Sequence, residues 1–392
     1  MYTSCPVCHS KDIFPLVSIK DMPIYCNVLH KSSDEAVATR KGDIDLVFCK
    51  ACTHIYNSTF DPEKMDYSVE YENSLHYSAV FNEFSNGLAK DLVEKHQLNG
   101  KNIVEIGCGK GDFLKSVCSL GNNTGFGFDR SYDYDRADQE QDQNVNFYQE
   151  FYSQDYSHIP ADMLCCRHVL EHIEYPVDFL RDVTTVASSI NNPSIYFEVP
   201  NGLFTLRDFG VWDIIYEHCA YFTPLSLSVA FEKAGCSVDS ISETFQAQFL
   251  SLEGSRDGSQ EQHFSSRFDQ KYRADLFALA ESFSSSYQAL QDKWNEFLGQ
   301  LEDGKKVVIW GTGSKGVTFL NVFSGLGKIE YAVDLNPHKH GMYVPGGAQQ
   351  VVAPDMMKEY QPDYVIVMNP VYRDEIAQAL EKMNVSAEVL VV

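Results

Sequence analysis

At 392 residues the chain is longer than one ordinary core, since single cores stop growing at roughly 250 to 300 residues, and two or three domains are expected. Its 44% hydrophobic and 22% charged residues are those of a soluble globular enzyme, and a net charge of -24 without any run of Lys or Arg argues against DNA and RNA as partners. The start Met1-Tyr2-Thr3-Ser4-Cys5 and the lack of eighteen consecutive apolar residues disfavour secretion and membrane spanning, so the eleven cysteines read as cytoplasmic thiols plus a metal site.

Residues 1–65 read as a small module. Two Cys-x-x-Cys knuckles, Cys5-Pro6-Val7-Cys8 and Cys49-Lys50-Ala51-Cys52, bracket a stretch with few long apolar runs, and four thiolates close a tetrahedral zinc site with no open position. Such a site folds a module and does not catalyse. His9 and His54 stand beside the knuckles as substitute ligands, and four unliganded thiols are the bland alternative.

An amphipathic helix is predicted over 80–96, with Phe81, Phe84, Leu88 and Leu92 or Val93 on one face. It leads into a parallel α/β pattern that extends the second unit to residue 253. Strands are predicted at 102–106, 124–129, 162–166 and 195–199, helices near Asp112, Pro176 and Pro224, and an antiparallel edge hairpin at 237–242 and 245–252. The polar stretch 254–270 reads as a linker and is followed by a long helix over 272–301. A second α/β unit is expected over 305–392, leaving 254–304 as linker and helix.

The turn Val104-Glu105-Ile106-Gly107-Cys108-Gly109-Lys110-Gly111 follows a predicted strand and opens a helix. Glycines there let the backbone approach a ligand, and the first helical N–H groups face it. Glu105 stands two residues before the first glycine. Asp129 ends the next strand, where a carboxylate accepts hydrogen bonds from both hydroxyls of a ribose.

These residues resemble the E-x-G-x-G-x-G motif of class I S-adenosylmethionine-dependent methyltransferases. The resemblance implies that Glu105, Gly107, Gly109, Gly111 and Asp129 bind the cofactor, with His168 joining them from the segment Ala161–Ile173, which looks like the superfamily's fourth strand and following turn. The order of the three units, and the segment Tyr216-Glu217-His218-Cys219-Ala220-Tyr221-Phe222-Thr223, further resemble the zinc-containing sugar C-methyltransferases, which act on nucleotide-linked keto-deoxysugars. That family implies an α/β chain with a small N-terminal zinc module, a Rossmann-like class I core and a second Rossmann-like C-terminal domain. It also implies His172, Glu217 and His218 as base and enolate-handling residues, and Tyr71, Tyr77, Asn201, Tyr216 and Tyr221 as acceptor contacts. Where the family has a tyrosine two places before the Glu-His pair, this chain has Ile215.

The chemistry explains these residue types. Methylating a carbon beside a ketone requires removal of a weakly acidic proton, so a base and an oxyanion donor must both be present. The bland readings are a helix-capping His172, a surface pair at Glu217 and His218, and core packing for Tyr216, Tyr221 and Phe222. Methylation of oxygen or nitrogen on another small acceptor is the nearest competing function.

A second turn, Trp310-Gly311-Thr312-Gly313-Ser314-Lys315-Gly316, fits the dinucleotide pattern G-x-G-x-x-G better than the first, with Asp334 as its acid. Alone it would suggest an oxidoreductase or a non-catalytic nucleotide-binding protein. An anionic ligand would need a cation such as Arg167, Arg207, Lys315 or Arg373 to reverse the local field.

Overall fold

The computed structural model describes residues 2–65, 77–132, 144–256, 263–324 and 327–392. The N-terminal module has a sheet that the apolar pattern did not announce: antiparallel strands β1 (Ile13–Pro23), β2 (Lys41–Cys49) and β3 (Ile55–Asn57). β1 lies at the edge of this sheet and contains Pro15, beside a break in its register with β2. A proline donates no ladder bond and is tolerated in that position.

The middle of the chain builds a seven-stranded sheet from β4 (Asn102–Ile106), β5 (Thr124–Phe128), β6 (Val145–Tyr148), β7 (Met163–Arg167) and β8 (Ser194–Pro200), joined by two later strands. A short strand β9 (Ala220–Tyr221) leaves the core and pairs with β3 of the N-terminal sheet. The chain then returns as β10 (Ser237–Thr244) and β11 (Phe249–Ser255), giving the order β10-β11-β8-β7-β4-β5-β6. β11 runs antiparallel to both neighbours, and the other pairs are parallel. The expected edge hairpin is therefore present, although its second strand starts at Phe249 and its turn holds three consecutive left-handed residues, Phe245, Gln246 and Ala247.

Helices Ala79–Lys95, Asp112–Gly121, Pro176–Ala187 and Pro224–Lys233 accompany this sheet. The last two start on a proline, whose fixed φ suits the first turn and whose missing N–H costs nothing there. Thr223 and Ser226 add a capping box to the last of them. Strand order reverses between β4 and β7, and ligands of open α/β sheets bind at the carboxyl ends beside such a reversal.

The long helix is Gln270–Gly299. It braces all three units: Arg273 Nε donates to the Ala51 carbonyl in a cysteine knuckle at 3.2 Å, Phe283 stacks on Phe209 at 5.3 Å, and Trp294 meets Phe319 edge-on at 5.1 Å. The C-terminal unit is an open sheet of five parallel strands, β12 (Val307–Trp310), β13 (Ile329–Val333), β14 (Gln350–Val352), β15 (Tyr364–Val367) and β16 (Glu388–Val391), in the order β14-β13-β12-β15-β16. Its glycine turn follows β12, again beside a reversal of strand order.

Candidate active site

The first glycine turn leaves the carboxyl end of β4 with Gly107, Gly109 and Gly111 at φ of 70°, 54° and 83°. These left-handed values are open to glycine at no steric cost. A Cβ on Gly111 would lie 2.3 Å from the Phe147 ring, whereas one on Gly109 would meet nothing within 4 Å among the described residues, so on that side the middle of the turn has room for a ligand. Asp129, just past β5, folds over it: one carboxylate oxygen accepts the Gly109 N–H at 2.8 Å and the other accepts Ser131 N–H and O–H at 2.7 and 2.6 Å. All three donors are neutral, and the two oxygens keep further lone pairs.

Glu105 is buried behind the turn, and burial raises its carboxyl to about 8. Its Oε2 has no hydrogen-bond partner among the described residues. An orphaned buried acid of this kind suits a cationic group such as the ammonium of an amino-acid ligand. The residues present therefore fit S-adenosylmethionine: an acid for its ammonium, an open glycine cradle, and a half-buried acid positioned for its ribose.

The segment after β7 carries the second half of the site. A Cβ on Gly107 would fall 2.1 Å from Val169 Cγ2, so Val169, at the head of the turn 169–172, packs against the first glycine turn. His172 Nδ1 lies 3.0 Å from the Glu217 carbonyl oxygen. A carbonyl only accepts, so Nδ1 carries the proton of the neutral ring and Nε2 is the basic nitrogen. The His218 ring meets His172 edge-on at 4.9 Å, and Nδ1 of His218 is buried without a hydrogen-bond partner among the described residues. Burial lowers His218 to about 4, so this ring stays neutral in neutral solution. His172 also lines a cleft of about 450 Å³ between the core and the N-terminal module, with Phe60, Met65, Tyr175 and Phe179.

Other expected residues occupy different places. The Glu217 carboxylate is fully buried and accepts the Cys26 N–H at 2.8 Å, so its side chain faces the N-terminal module while its carbonyl orients His172. Tyr216 is buried against Phe60, with its hydroxyl accepting Asp61 N–H at 3.1 Å. The buried Tyr221 hydroxyl accepts Ile215 N–H at 3.2 Å. Both tyrosines therefore have their hydroxyls engaged within the protein. Asn201 caps the helix Gly202–Arg207 and donates to the Ala247 carbonyl at 2.8 Å. Tyr77 is exposed, and Tyr71 lies outside the described residues.

The His168 ring sits 3.2 Å from Glu198 and 3.6 Å from Glu171. Burial opposes its charge, but the two acids outweigh it and raise His168 to about 9. Glu198 is buried as well and also accepts from Arg167 Nε and Nη2 at 3.0 and 2.9 Å; despite burial, Arg167 and His168 hold it at about 2. Sequence reasoning missed Glu198 and Glu171, although an acid inside the apolar run Ile195–Val199 was a signal of a buried ionic partner. All four cations named as field-reversing candidates have acidic partners: Arg167 with Glu198, Arg207 with Asp208 and Glu243, Lys315 with Asp213, and Arg373 with Asp374.

In the N-terminal module the Cys5 and Cys52 sulfurs are 3.6 Å apart, those of Cys8 and Cys49 3.5 Å, and all four lie within 4.8 Å of one another. Four sulfurs around zinc at about 2.3 Å would stand about 3.8 Å apart, so the donor set fits that ion with little adjustment. His54 stays out of the cluster: it is buried between Tyr56 and Phe222, at ring distances of 5.8 and 4.8 Å, and burial lowers it to about 3.

Comparison with known proteins bears on this site. A methyltransferase domain model matches residues 80–241, and a C-methyltransferase C-terminal domain model matches residues 255–392. No curated protein matches the sequence. Among solved structures, magnesium protoporphyrin IX methyltransferase from Synechocystis PCC 6803 with bound S-adenosylhomocysteine is 17% identical, covering 45% of this chain and 84% of its own, with a TM-score of 0.35. A SAM-dependent methyltransferase from Aquifex aeolicus is 14% identical, covering 50% and 98%, with a TM-score of 0.37. An O-methyltransferase family protein from Burkholderia thailandensis is 14% identical, covering 46% and 59%, at 0.36. With a methyltransferase domain over the glycine turn and a C-methyltransferase domain following it, the chain is an S-adenosylmethionine-dependent methyltransferase.

Proposed function

We propose that this enzyme methylates a carbon beside the ketone of a small acceptor, a nucleotide-linked keto-deoxysugar, with His172 as base. The observation that carries the reading is the His172–Glu217 hydrogen bond beside His218, three residues beyond Val169, which packs against Gly107 of the first glycine turn. The C-methyltransferase model over residues 255–392 supports carbon as the methylated atom. In this reading Gly107, Gly109 and Gly111 receive S-adenosylmethionine, Asp129 takes its ribose and Glu105 its ammonium; when bound, the cofactor supplies an electrophilic methyl group.

The chain's own residues divide the remaining work. The Glu217 carbonyl fixes the His172 tautomer, so Nε2 receives the proton from the carbon beside the ketone. His218, kept neutral by burial, donates an N–H to the oxygen on which negative charge develops, much as one of two titratable groups is held uncharged for that purpose elsewhere. Glu217 acts by positioning. His168 serves by holding Glu171 and Glu198 behind the site, and Asn201 by fixing the loop after β8. The four thiolates Cys5, Cys8, Cys49 and Cys52 hold a structural zinc ion, and the C-terminal sheet is a Rossmann-like unit.

The test offers nucleotide-linked and free keto-deoxysugars with S-adenosylmethionine and locates any new methyl group by NMR. A carbon-bound methyl is expected, with its rate lowered at least a hundredfold in His172→Ala and S-adenosylhomocysteine affinity unchanged. A methyl on oxygen or nitrogen, or full activity in His172→Ala, would overturn the reading. Metal analysis should find one zinc per chain, lost in Cys49→Ser together with folded N-terminal module.

A further inference from the structure

Lys315, in the second glycine turn and the second residue of the helix Ser314–Val322, is ion-paired with Asp213 of the core, each side chain 19% exposed. One turn on, Thr318 Oγ1 donates to the Ile214 carbonyl at 3.3 Å in a buried contact. Phe319 and Phe323 meet the Trp212 ring at 4.9 and 5.9 Å. Positions 315, 318, 319 and 323 share one helix face, so that face meets three consecutive core residues, 212 to 214.

Those residues begin the segment that ends in the site. Ile215 N–H is held by the Tyr221 hydroxyl, Tyr216 by Asp61, and the Glu217 side chain by Cys26, before the Glu217 carbonyl reaches His172. The turn's own acid is engaged as well. Asp334 accepts Thr312 N–H at 3.0 Å, Asn336 N–H at 2.9 Å, the Thr312 hydroxyl, and the Lys339 ammonium at 3.3 Å. A nucleotide would have to displace an ammonium from this acid and Asp213 from Lys315.

We infer that the C-terminal unit acts on methyl transfer as a latch: the Lys315–Asp213 pair, backed by Thr318 and Phe319, sets the register of residues 211–218 and thereby the His172–Glu217 hydrogen bond. Lys315 and Asp213 are positioning residues. The inference rests on His172 as the base for its effect on rate, but not for its effect on the segment. The experiment therefore measures both, on the full chain, in Lys315→Met, Asp213→Asn and the charge-exchanged double variant Asp213→Lys/Lys315→Asp.

Hydrogen-exchange mass spectrometry of the peptide spanning 211–221 is expected to show roughly tenfold faster exchange in each single variant and recovery in the exchanged pair, with S-adenosylhomocysteine affinity unchanged. Methyl transfer to the nucleotide-linked keto-deoxysugar should lose roughly tenfold or more in kcat with little change in KM, and regain part of it in the exchanged pair. Unchanged exchange in both single variants would overturn the latch, whatever the enzyme's acceptor. A rise in acceptor KM alone, or NAD binding by the wild type that Lys315→Met abolishes, would also overturn it and make the turn a ligand site. If the wild type transfers no methyl to this acceptor while the exchange results hold, the acceptor assignment fails, and the hold of the Lys315–Asp213 pair on residues 211–218 stands.

Discussion

At the first glycine turn three glycines are left-handed and the acid, Asp129, accepts only neutral donors among the described residues; at the second only Gly311 is left-handed, at φ of 107°, and the acid, Asp334, faces the Lys339 ammonium. The second turn nevertheless matches the dinucleotide spacing more closely. Glycine spacing reports that a strand and a helix meet tightly: a Cβ on Gly316 would stand 2.0 Å from the Gly311 carbonyl oxygen. What spacing does not report is whether the polar groups at the meeting are left for a ligand or already used by the protein. That depends on Lys339 and Asp213, residues outside the motif.

The largest expected effect breaks the comparison most directly. Asp129→Ala should weaken S-adenosylhomocysteine binding at least a hundredfold in calorimetric titration, and Asp334→Ala should leave it unchanged. Equal losses would erase the distinction between the turns. Alanine at the glycines should separate them next. Gly111→Ala faces both a left-handed backbone and the Phe147 ring, and should cost about 2 kcal/mol or more of stability, read by denaturant unfolding. Gly313→Ala, at φ of -79° with nothing within 4 Å among the described residues, should change stability by under about 0.5 kcal/mol.

Smaller effects sharpen the picture through protons. Glu105 is mostly protonated at pH 7, and a bound ammonium favours its charged form. Titration with S-adenosylhomocysteine in buffers of different ionisation enthalpy should therefore show release of up to about one proton at pH 7, absent in Glu105→Gln. For His168 the folded value of about 9 lies above that of the unfolded chain, so its stabilisation is complete below about pH 6.5 and is lost as pH rises through 9. The stability difference between the wild type and His168→Gln should shrink over that interval; a difference that grew would place the charge elsewhere.

Much of the core was legible because its residues follow local rules. The strand 102–106 and the helix starts at Pro176 and Pro224 came directly from apolar runs and proline, and the four knuckle cysteines do converge. The N-terminal sheet escaped because Pro15 and the charged positions of β1 and β2 interrupt any apolar pattern, and pairing across the chain, not propensity, makes them strands. Direction of side chains was the other gap. A Glu-His pair in sequence does not reveal that Glu217 offers its carbonyl to one unit and its carboxylate to another, nor that Tyr216 and Tyr221 have their hydroxyls engaged internally.

The two-residue strand β9 also determines what the N-terminal module can be when alone. With Ala220 and Tyr221 paired to it, β3 has neighbours on both sides; without them its outer row of N–H and C=O groups faces water along Ile55 and Tyr56, both otherwise buried. A bare apolar edge is a template for pairing with another copy. Cut after residue 65, the fragment would carry a sticky margin that the intact chain covers with its own backbone, and its self-association would rise with concentration even though all four knuckle cysteines are in place.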